Sequence, residues 1–195
     1  MVTVASDRDA ARRLNHLEMV YRPGERELAT RVFELLGLRV LDNGGTWMFA
    51  HIDPAVGDVR NNACYASEMT PEQWALEQAL VAAIAAAGDD ARGVGSAAAD
   101  YLARLRAEPQ RSFHFGINVF DREDFDATLD RIRATEADPD LAGRVALIGV
   151  YHPDEPGALA PGMIQAFVRT DVVAAGLLTF GQHVELQWHL SQPCM

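Results

Sequence analysis

The segment Ser112–Phe120 reads Ser-Phe-His-Phe-Gly-Ile-Asn-Val-Phe and alternates between apolar side chains and small or polar ones. Successive side chains of a β-strand point to opposite faces of the sheet. The predicted strand therefore has an apolar face made of Phe113, Phe115, Ile117 and Val119, and a second face made of His114, Gly116 and Asn118. The apolar face is suited to a core. The second face, which is small and polar around one imidazole, is typical of a strand that lines a cavity.

The same pattern occurs near the N-terminus, in Asn15–Tyr21. Here Leu17, Met19 and Tyr21 share one face, and His16, Glu18 and Val20 share the other. Each of the two strands is followed by a predicted amphipathic helix, at Glu25–Leu36 and after the capping residue Asp121. Both the strand histidines and the helical stripes are offset by about 97 or 98 residues. A constant offset over two kinds of element indicates an internal repeat.

Three further strands are predicted in each half of the chain. They are Leu38–Leu41, Thr46–Ile52 and Asn62–Glu68 in the first half, and Arg144–Tyr151, Met163–Thr170 and Leu177–Trp188 in the second. We predict an α+β fold in which two βαβββ modules, residues 13–69 and 111–190, form one compact domain with a cup-shaped mixed or antiparallel sheet.

Residues 70–110 are predicted to form an inserted helical hairpin outside the two modules. Thr70 to Gln73 has the pattern of a capping box, the glycines around residues 88–95 interrupt the helical pattern, and Ser96 is placed to cap a second helix. The expected packing anchors of the first helix are Trp74, Leu76, Leu80 and Ile84.

The composition excludes several classes of function. The formal net charge is −11, and all 17 basic residues are arginine. The absence of lysine excludes Schiff-base chemistry, pyridoxal phosphate attachment and a P-loop. The negative charge argues against nucleic acids and anionic membranes as partners. With neither a signal peptide nor a long apolar run, we expect a cytoplasmic protein that binds a small molecule, and we leave open whether it is a homodimer.

The two modules, each with a histidine in its first strand and a glutamate in its last, resemble the vicinal oxygen chelate superfamily. This superfamily includes glyoxalase I, methylmalonyl-CoA epimerase, extradiol dioxygenases and bleomycin-resistance proteins. The resemblance rests on Leu-Asn-His-Leu-Glu-Met-Val (14–20), Val-Phe-Glu-Leu-Leu-Gly-Leu-Arg-Val (32–40) and Gly-Gln-His-Val-Glu-Leu-Gln (181–187). In the superfamily, paired modules enclose a divalent metal. The resemblance implies that His16, Glu68, His114 and Glu185 are the metal ligands here.

The residue types of this set suit a metal site independently of the resemblance. Two imidazoles with one or two carboxylates from separate strands are a normal donor set for Fe, Ni, Mn or Zn. Alternation places all four on faces that we expect to line the cavity. Glu68 ends a weak strand directly before a helix cap, so a solvated carboxylate is an alternative for it. His183 shares the predicted face of Glu185 and is a candidate to orient a ligand.

Three functions remain open from the sequence. With four ligands, the metal would have two positions for vicinal oxygens of a substrate, and Glu68 or Glu185 would move a proton, as in glyoxalases and epimerases. Without Glu68, the remaining ligands form a two-histidine, one-carboxylate triad that suits Fe(II) and dioxygen. The third possibility is a metal-free protein that binds small molecules or drugs.

Overall fold

The computed structural model describes residues 15–53, 62–88, 93–156, 158 and 161–190. The first half contains β1 (His16–Tyr21), α1 (Arg26–Leu35), β2 (Arg39–Leu41), β3 (Trp47–His51) and β4 (Ala63–Glu68). The helices α2 (Pro71–Ala86) and α3 (Val94–Ala107) follow. The second half contains β5 (His114–Asn118), α4 (Arg122–Ala134), β6 (Val145–Tyr151), β7 (Met163–Thr170), β8 (Val173–Ala174) and β9 (Gln182–His189). Residues 13 and 14, at the predicted start of the first module, lie outside the described part.

The strands form two sheets that repeat one topology. The first sheet has the order β2-β3-β4-β1-β8, and the second has the order β5-β9-β7-β6. In both, the first strand of the unit pairs in parallel with the last strand, which pairs in antiparallel with its other neighbour. The predicted α+β fold with two βαβββ units is therefore confirmed. The short strand β8 was not predicted, and it joins the two halves by pairing with β1, where Val173 lies opposite Tyr21.

The apolar faces of both sheets pack against α1 and α4 in one hydrophobic cluster. Ile117 of β5 and Phe125 of α4 are buried in it, as the alternation and the helical stripe predict. Asp121 caps α4 by accepting hydrogen bonds from two backbone N–H groups of the first turn. Phe113, which we expected in the core, is 69% exposed and lies just before β5, which begins at His114.

The inserted helices differ from the prediction in detail. The capping box of α2 is present, but the expected anchor Leu76 is 60% exposed. The buried residue of this helix is instead Glu77, whose carboxylate accepts hydrogen bonds from the backbone N–H groups of Leu178 at 2.7 Å and Thr179 at 3.0 Å. The helix α3 begins before Ser96, whose hydroxyl donates to a backbone carbonyl rather than capping the helix.

The last strand is shorter than predicted. A 3₁₀ turn at Leu178–Phe180 and Gly181, with φ of +73°, precede β9, so the strand begins at Gln182 instead of Leu177. A positive φ is readily adopted by glycine, and this position redirects the chain into the sheet. Within the described residues, no helix is both long enough and apolar enough to cross a membrane.

Candidate functional site

One face of the second sheet collects most of its polar side chains. In register across β5, β9 and β7, a first row contains His114, His183 and Arg169, a second contains Gly116, Glu185 and Phe167, and a third contains Asn118, Gln187 and Gln165. Residues in register share a face of a sheet. The opposite face packs on α4, so these side chains lie on the side away from the helix.

His114 and Glu185 are in direct contact on this face. The Nε2 atom of His114 lies 3.2 Å from Oε2 of Glu185. The histidine side chain is 23% exposed and the glutamate side chain is 6% exposed. The pair therefore combines a nearly buried carboxylate with an imidazole that solvent or a ligand reaches.

The other ring nitrogen of His114 fixes the protonation pattern of this contact. Its Nδ1 lies 2.9 Å from the carbonyl oxygen of Ser112. A carbonyl oxygen only accepts hydrogen bonds, so Nδ1 must carry the proton. In the neutral imidazole, Nε2 would then present a lone pair to a carboxylate oxygen. A proton or a metal cation placed between Nε2 and Oε2 of Glu185 would remove this repulsion.

The surroundings of Glu185 hold the carboxylate in place. Its Oε1 accepts a hydrogen bond of 2.6 Å from Nε2 of Gln165, which leaves Oε2 directed to His114. The ring of Phe167 meets the His114 ring edge-on, with 5.5 Å between centroids. A Cβ atom at Gly116 would lie 3.7 Å from Oε2 of Glu185, so this glycine of the edge strand β5 lies directly beside the carboxylate.

An open cavity of about 480 Å³ extends along this edge. It is lined by Gly116 and Asn118 of β5 and, from the first half of the chain, by Gly37, Ile52 and Asp53. Gly116 also lies against Glu185, but neither Glu185 nor His114 lines this cavity. Its size suits a small molecule.

His183 is buried beside this pair. It is 1% exposed, and its Nε2 has no hydrogen-bond partner among the described residues. Burial, followed by the charges of Arg169 and His114, lowers the pKa of His183 to about 4. The side chain is therefore neutral near pH 7. Alternation correctly predicted that His183 and Glu185 share a face.

His16 lies on the first sheet, at the position of β1 that corresponds to His114 in β5. It is exposed, and its Nδ1 lies 2.5 Å from Oδ1 of Asn15. Its ring meets the ring of Tyr65 edge-on, with 5.2 Å between centroids. Together with Glu18 and Trp47, these residues line a separate open cavity of about 390 Å³.

Glu68 does not share a face with His16, contrary to our expectation. The register of β1 and β4 pairs His16 with Ala63 and Tyr21 with Glu68, which puts Glu68 on the opposite face of the sheet. Its Oε2 accepts a hydrogen bond of 3.0 Å from the backbone N–H of Gly24. The carboxylate thus holds the turn after β1.

Comparison of the two units shows which residue of the first unit occupies the position that Glu185 has in the second. Glu185 lies two residues beyond the register partner of His114, and the residue two beyond the register partner of His16 is Tyr65. Phe49 pairs with Tyr65 as Phe167 pairs with Glu185, which supports this correspondence. No sequence spacing could have identified Tyr65, because the distance along the chain from the first-strand histidine differs between the two units and the correspondence appears only in the strand register.

The four expected ligands do not converge on one point. Over the described ranges, no group of three or more His, Cys, Asp or Glu side chains is arranged to hold a metal ion. The structure brings together His114 and Glu185, and it leaves His16 and Glu68 apart from them.

Comparisons with known proteins add a distant likeness. No family model and no curated protein matches the sequence. One similar solved structure is that of oxidase ChaP-H2, with 14% sequence identity and a TM-score of 0.43 over 92% of this chain and 95% of that chain. A hypothetical protein from S. aureus has 11% identity and a TM-score of 0.42 over 92% of this chain and 94% of that chain. Similarity at this level carries no inference about ligand or reaction.

Proposed function

We propose that this chain is a small-molecule enzyme of the vicinal oxygen chelate type, with His114 and Glu185 as its reactive pair. The repeated βαβββ unit supports the relationship. The observation that carries the proposal is the contact of 3.2 Å between Nε2 of His114 and Oε2 of Glu185, whose carboxylate is nearly buried. The other ring nitrogen of His114 is hydrogen-bonded to the carbonyl of Ser112. The proposed reaction is proton transfer at a carbon next to a carbonyl group.

The pair is built to hold and move one proton. Glu185 takes the proton from the substrate carbon through Oε2, while the electron pair of the broken C–H bond moves toward the neighbouring carbonyl oxygen. Returning the proton to the former carbonyl carbon, while the hydroxyl proton of the first carbon passes to the former carbonyl oxygen, completes the isomerisation of an α-hydroxycarbonyl compound. Gln165 orients the carboxylate, and the bond to Ser112 keeps Nε2 of His114 on the reacting side.

A divalent metal ion fits this pair through two donors, Nε2 of His114 and Oε2 of Glu185. An imidazole whose other N–H is bonded to a carbonyl is the usual form of a metal-bound histidine. Bound there, the ion would polarise vicinal oxygens of the substrate as a Lewis acid. Neither Glu68 nor His16 completes the donor set in the part of the chain that the structure describes.

The hydrogen bond from the N–H of Gly24 to Glu68 favours a site without Glu68 over the four-ligand site. If His16 moves toward the pair, the donors become two histidines and Glu185, a set that suits an Fe(II) dioxygenase of the extradiol type. A metal-free protein that binds a small molecule in the cavity beside β5 is the third candidate.

Metal titration and proton exchange test the proposal together. Protein without a histidine tag is titrated by calorimetry with Zn²⁺, Ni²⁺, Mn²⁺ and, without oxygen, Fe²⁺. In a parallel assay, NMR follows deuterium uptake from solvent into small α-hydroxycarbonyl compounds. We expect His114→Ala and Glu185→Ala to weaken metal binding at least tenfold and to stop deuterium uptake.

Glu68→Ala is the matched control, and it should retain both properties because Glu68 lies on another face. Equal losses of metal binding and deuterium uptake in all three variants would support the four-ligand site instead. Catechol-dependent oxygen consumption with Fe²⁺ would favour the dioxygenase instead. A protein that takes up no metal and exchanges no proton would contradict an enzyme of either kind.

A further inference from the structure

A row of basic side chains crosses the second sheet beside the reactive pair. His114, His183 and Arg169 lie in register on β5, β9 and β7. Neighbouring strands are about 4.8 Å apart, so Arg169 is about 10 Å from His114 across the sheet. In a chain with a net charge of −11, such a local cluster is a specific feature.

Arg169 has no counter-ion of its own. It is partly buried, and within the described ranges its guanidinium makes no ion pair or hydrogen bond with a carboxylate. The charge of Asp171 acts favourably on it, but that carboxylate is bonded to Arg22 at 2.8 Å and to Arg144 at 2.9 Å. A partly buried cation without a partner is costly, which favours an anion at this position.

The charge of a second arginine acts on Arg169. The charge of Arg106, on α3, opposes that of Arg169, and burial together with this repulsion lowers the pKa of Arg169. Arg106 is exposed and, like Arg169, has no carboxylate partner among the residues that the structure describes. Guanidinium groups that have no carboxylate partner in the protein are well suited to bind a carboxylate or a phosphate.

The unpartnered nitrogen of His183 points independently to a ligand. This side chain is 1% exposed and lies between His114 and Arg169 in the row, and its Nε2 makes no hydrogen bond within the described chain. A buried polar atom without a partner costs about 1 to 3 kcal/mol. In the tautomer that carries its proton on Nε2, His183 would donate a hydrogen bond to an anion held by Arg169.

Space for the guanidinium of Arg169 is provided by Gly181. A Cβ atom at this glycine would lie 3.1 Å from Nη2 of Arg169 and 2.9 Å from the carbonyl oxygen of Thr170. Because Gly181 adopts φ of +73°, a side chain here would be strained as well as crowded. The turn before β9 therefore leaves the arginine its position beside His183.

We propose that Arg169, Arg106 and His183 form an anion subsite that takes the carboxylate or phosphate group of the substrate. The assignment of this anion to a substrate rests on the proposed function of His114 and Glu185. The enzyme would then act on a small carbonyl compound whose anionic group lies about two strand spacings from the carbon that loses the proton.

Direct anion binding tests the subsite without any assay of activity. The full chain is titrated by calorimetry with inorganic phosphate and, separately, with malonate, at constant ionic strength. We expect binding of at least one anion, weakened at least tenfold by Arg169→Ala because a charge-assisted contact is lost. Arg169→Lys should retain part of the affinity. Arg106→Ala should weaken it several-fold, and it provides the test if Arg169→Ala does not fold.

Arg104→Ala is the matched control on α3, since Arg104 is exposed and paired with Glu108 at 3.0 Å. It should bind both anions like the wild type. No binding of either anion, or equal binding by wild type and Arg169→Ala, would overturn the subsite. If Glu185→Gln exchanges no proton but still binds the anion, this result would support the subsite. A wild type that binds the anion but exchanges no proton would refute only the proposed reaction.

Discussion

At the scale of single residues, one backbone contact determines the chemistry of the candidate site. The carbonyl of Ser112 fixes the proton of His114 on Nδ1, and Nε2 is thereby committed to Glu185. Sequence alternation predicts that both side chains leave the core face. It does not predict the tautomer, because the accepting carbonyl belongs to an irregular turn before β5.

A second residue pair gives a test of electrostatics away from the site. Asp42 accepts hydrogen bonds from Nε of Arg26 at 2.7 Å and from the backbone N–H of Gly44 at 2.8 Å. Chiefly through Arg26, these contacts lower the pKa of Asp42 to about 2. A folded-state pKa below the unfolded value of about 3.9 means that the stabilisation is complete above about pH 4. It is lost as the pH falls through 2.

Asp42→Asn should therefore lower the free energy of unfolding at pH 7 by up to about 1 kcal/mol, since the partly exposed pair is screened by solvent. Near pH 2 the variant and the wild type should be equally stable. Urea denaturation at both pH values measures this difference. Asp130→Asn is the control, because Asp130 is 77% exposed in its pair with Arg133. A deficit of the same size at both pH values would contradict the assignment.

At the scale of elements, the strands and their faces were largely predictable, but the register between strands was not. Alternation within β9 correctly grouped His183 with Glu185. Alternation within β4 could not relate Glu68 to His16, since this depends on how β4 is aligned with β1. The small residues of β4 fit either alignment. Glu68 was therefore assigned to the wrong face.

Short or interrupted elements were missed for a related reason. The strand β8 has two residues, and it exists because β1 offers an unpaired edge. A run of two residues carries no periodic signal. The start of β9 was predicted too early because the 3₁₀ turn before it is also apolar, with Leu178 buried. Tertiary contacts, which the sequence pattern does not contain, set both boundaries.

The contact between α2 and the turn before β9 provides a test at this scale. Glu77 is 3% exposed and satisfies the backbone N–H groups of Leu178 and Thr179. Glu77→Ala would leave the buried N–H of Leu178 and the partly buried N–H of Thr179 without this acceptor. We therefore expect it to lower the free energy of unfolding by about 2 to 4 kcal/mol. Gln78→Ala, at an exposed neighbouring position, should change it by less than about 0.5 kcal/mol. Equal effects in urea denaturation would contradict this function of Glu77.

At the scale of the whole molecule, the two units form one packed structure. They share a hydrophobic cluster, and β8 of the second half pairs with β1 of the first. We therefore expect a single cooperative unfolding transition. Variants that keep only Trp47 in β3 or only Trp188 in β9, with phenylalanine at the other tryptophan positions, report on each unit by fluorescence. Coincident midpoints in urea would support one domain, and separate midpoints would show two independent units.

The central claim is that Nε2 of His114 and Oε2 of Glu185 act as one reactive pair, whereas Glu68 takes no part. Nitrogen-15 NMR of the His114 imidazole, assigned with His114→Gln, tests it most directly. We predict a protonated Nδ1 and an Nε2 resonance that shifts strongly in Glu185→Gln, because that nitrogen lies 3.2 Å from the carboxylate. In Glu68→Gln the resonance should not change. An Nε2 signal that is insensitive to Glu185→Gln, or that responds equally to Glu68→Gln, would contradict the claim.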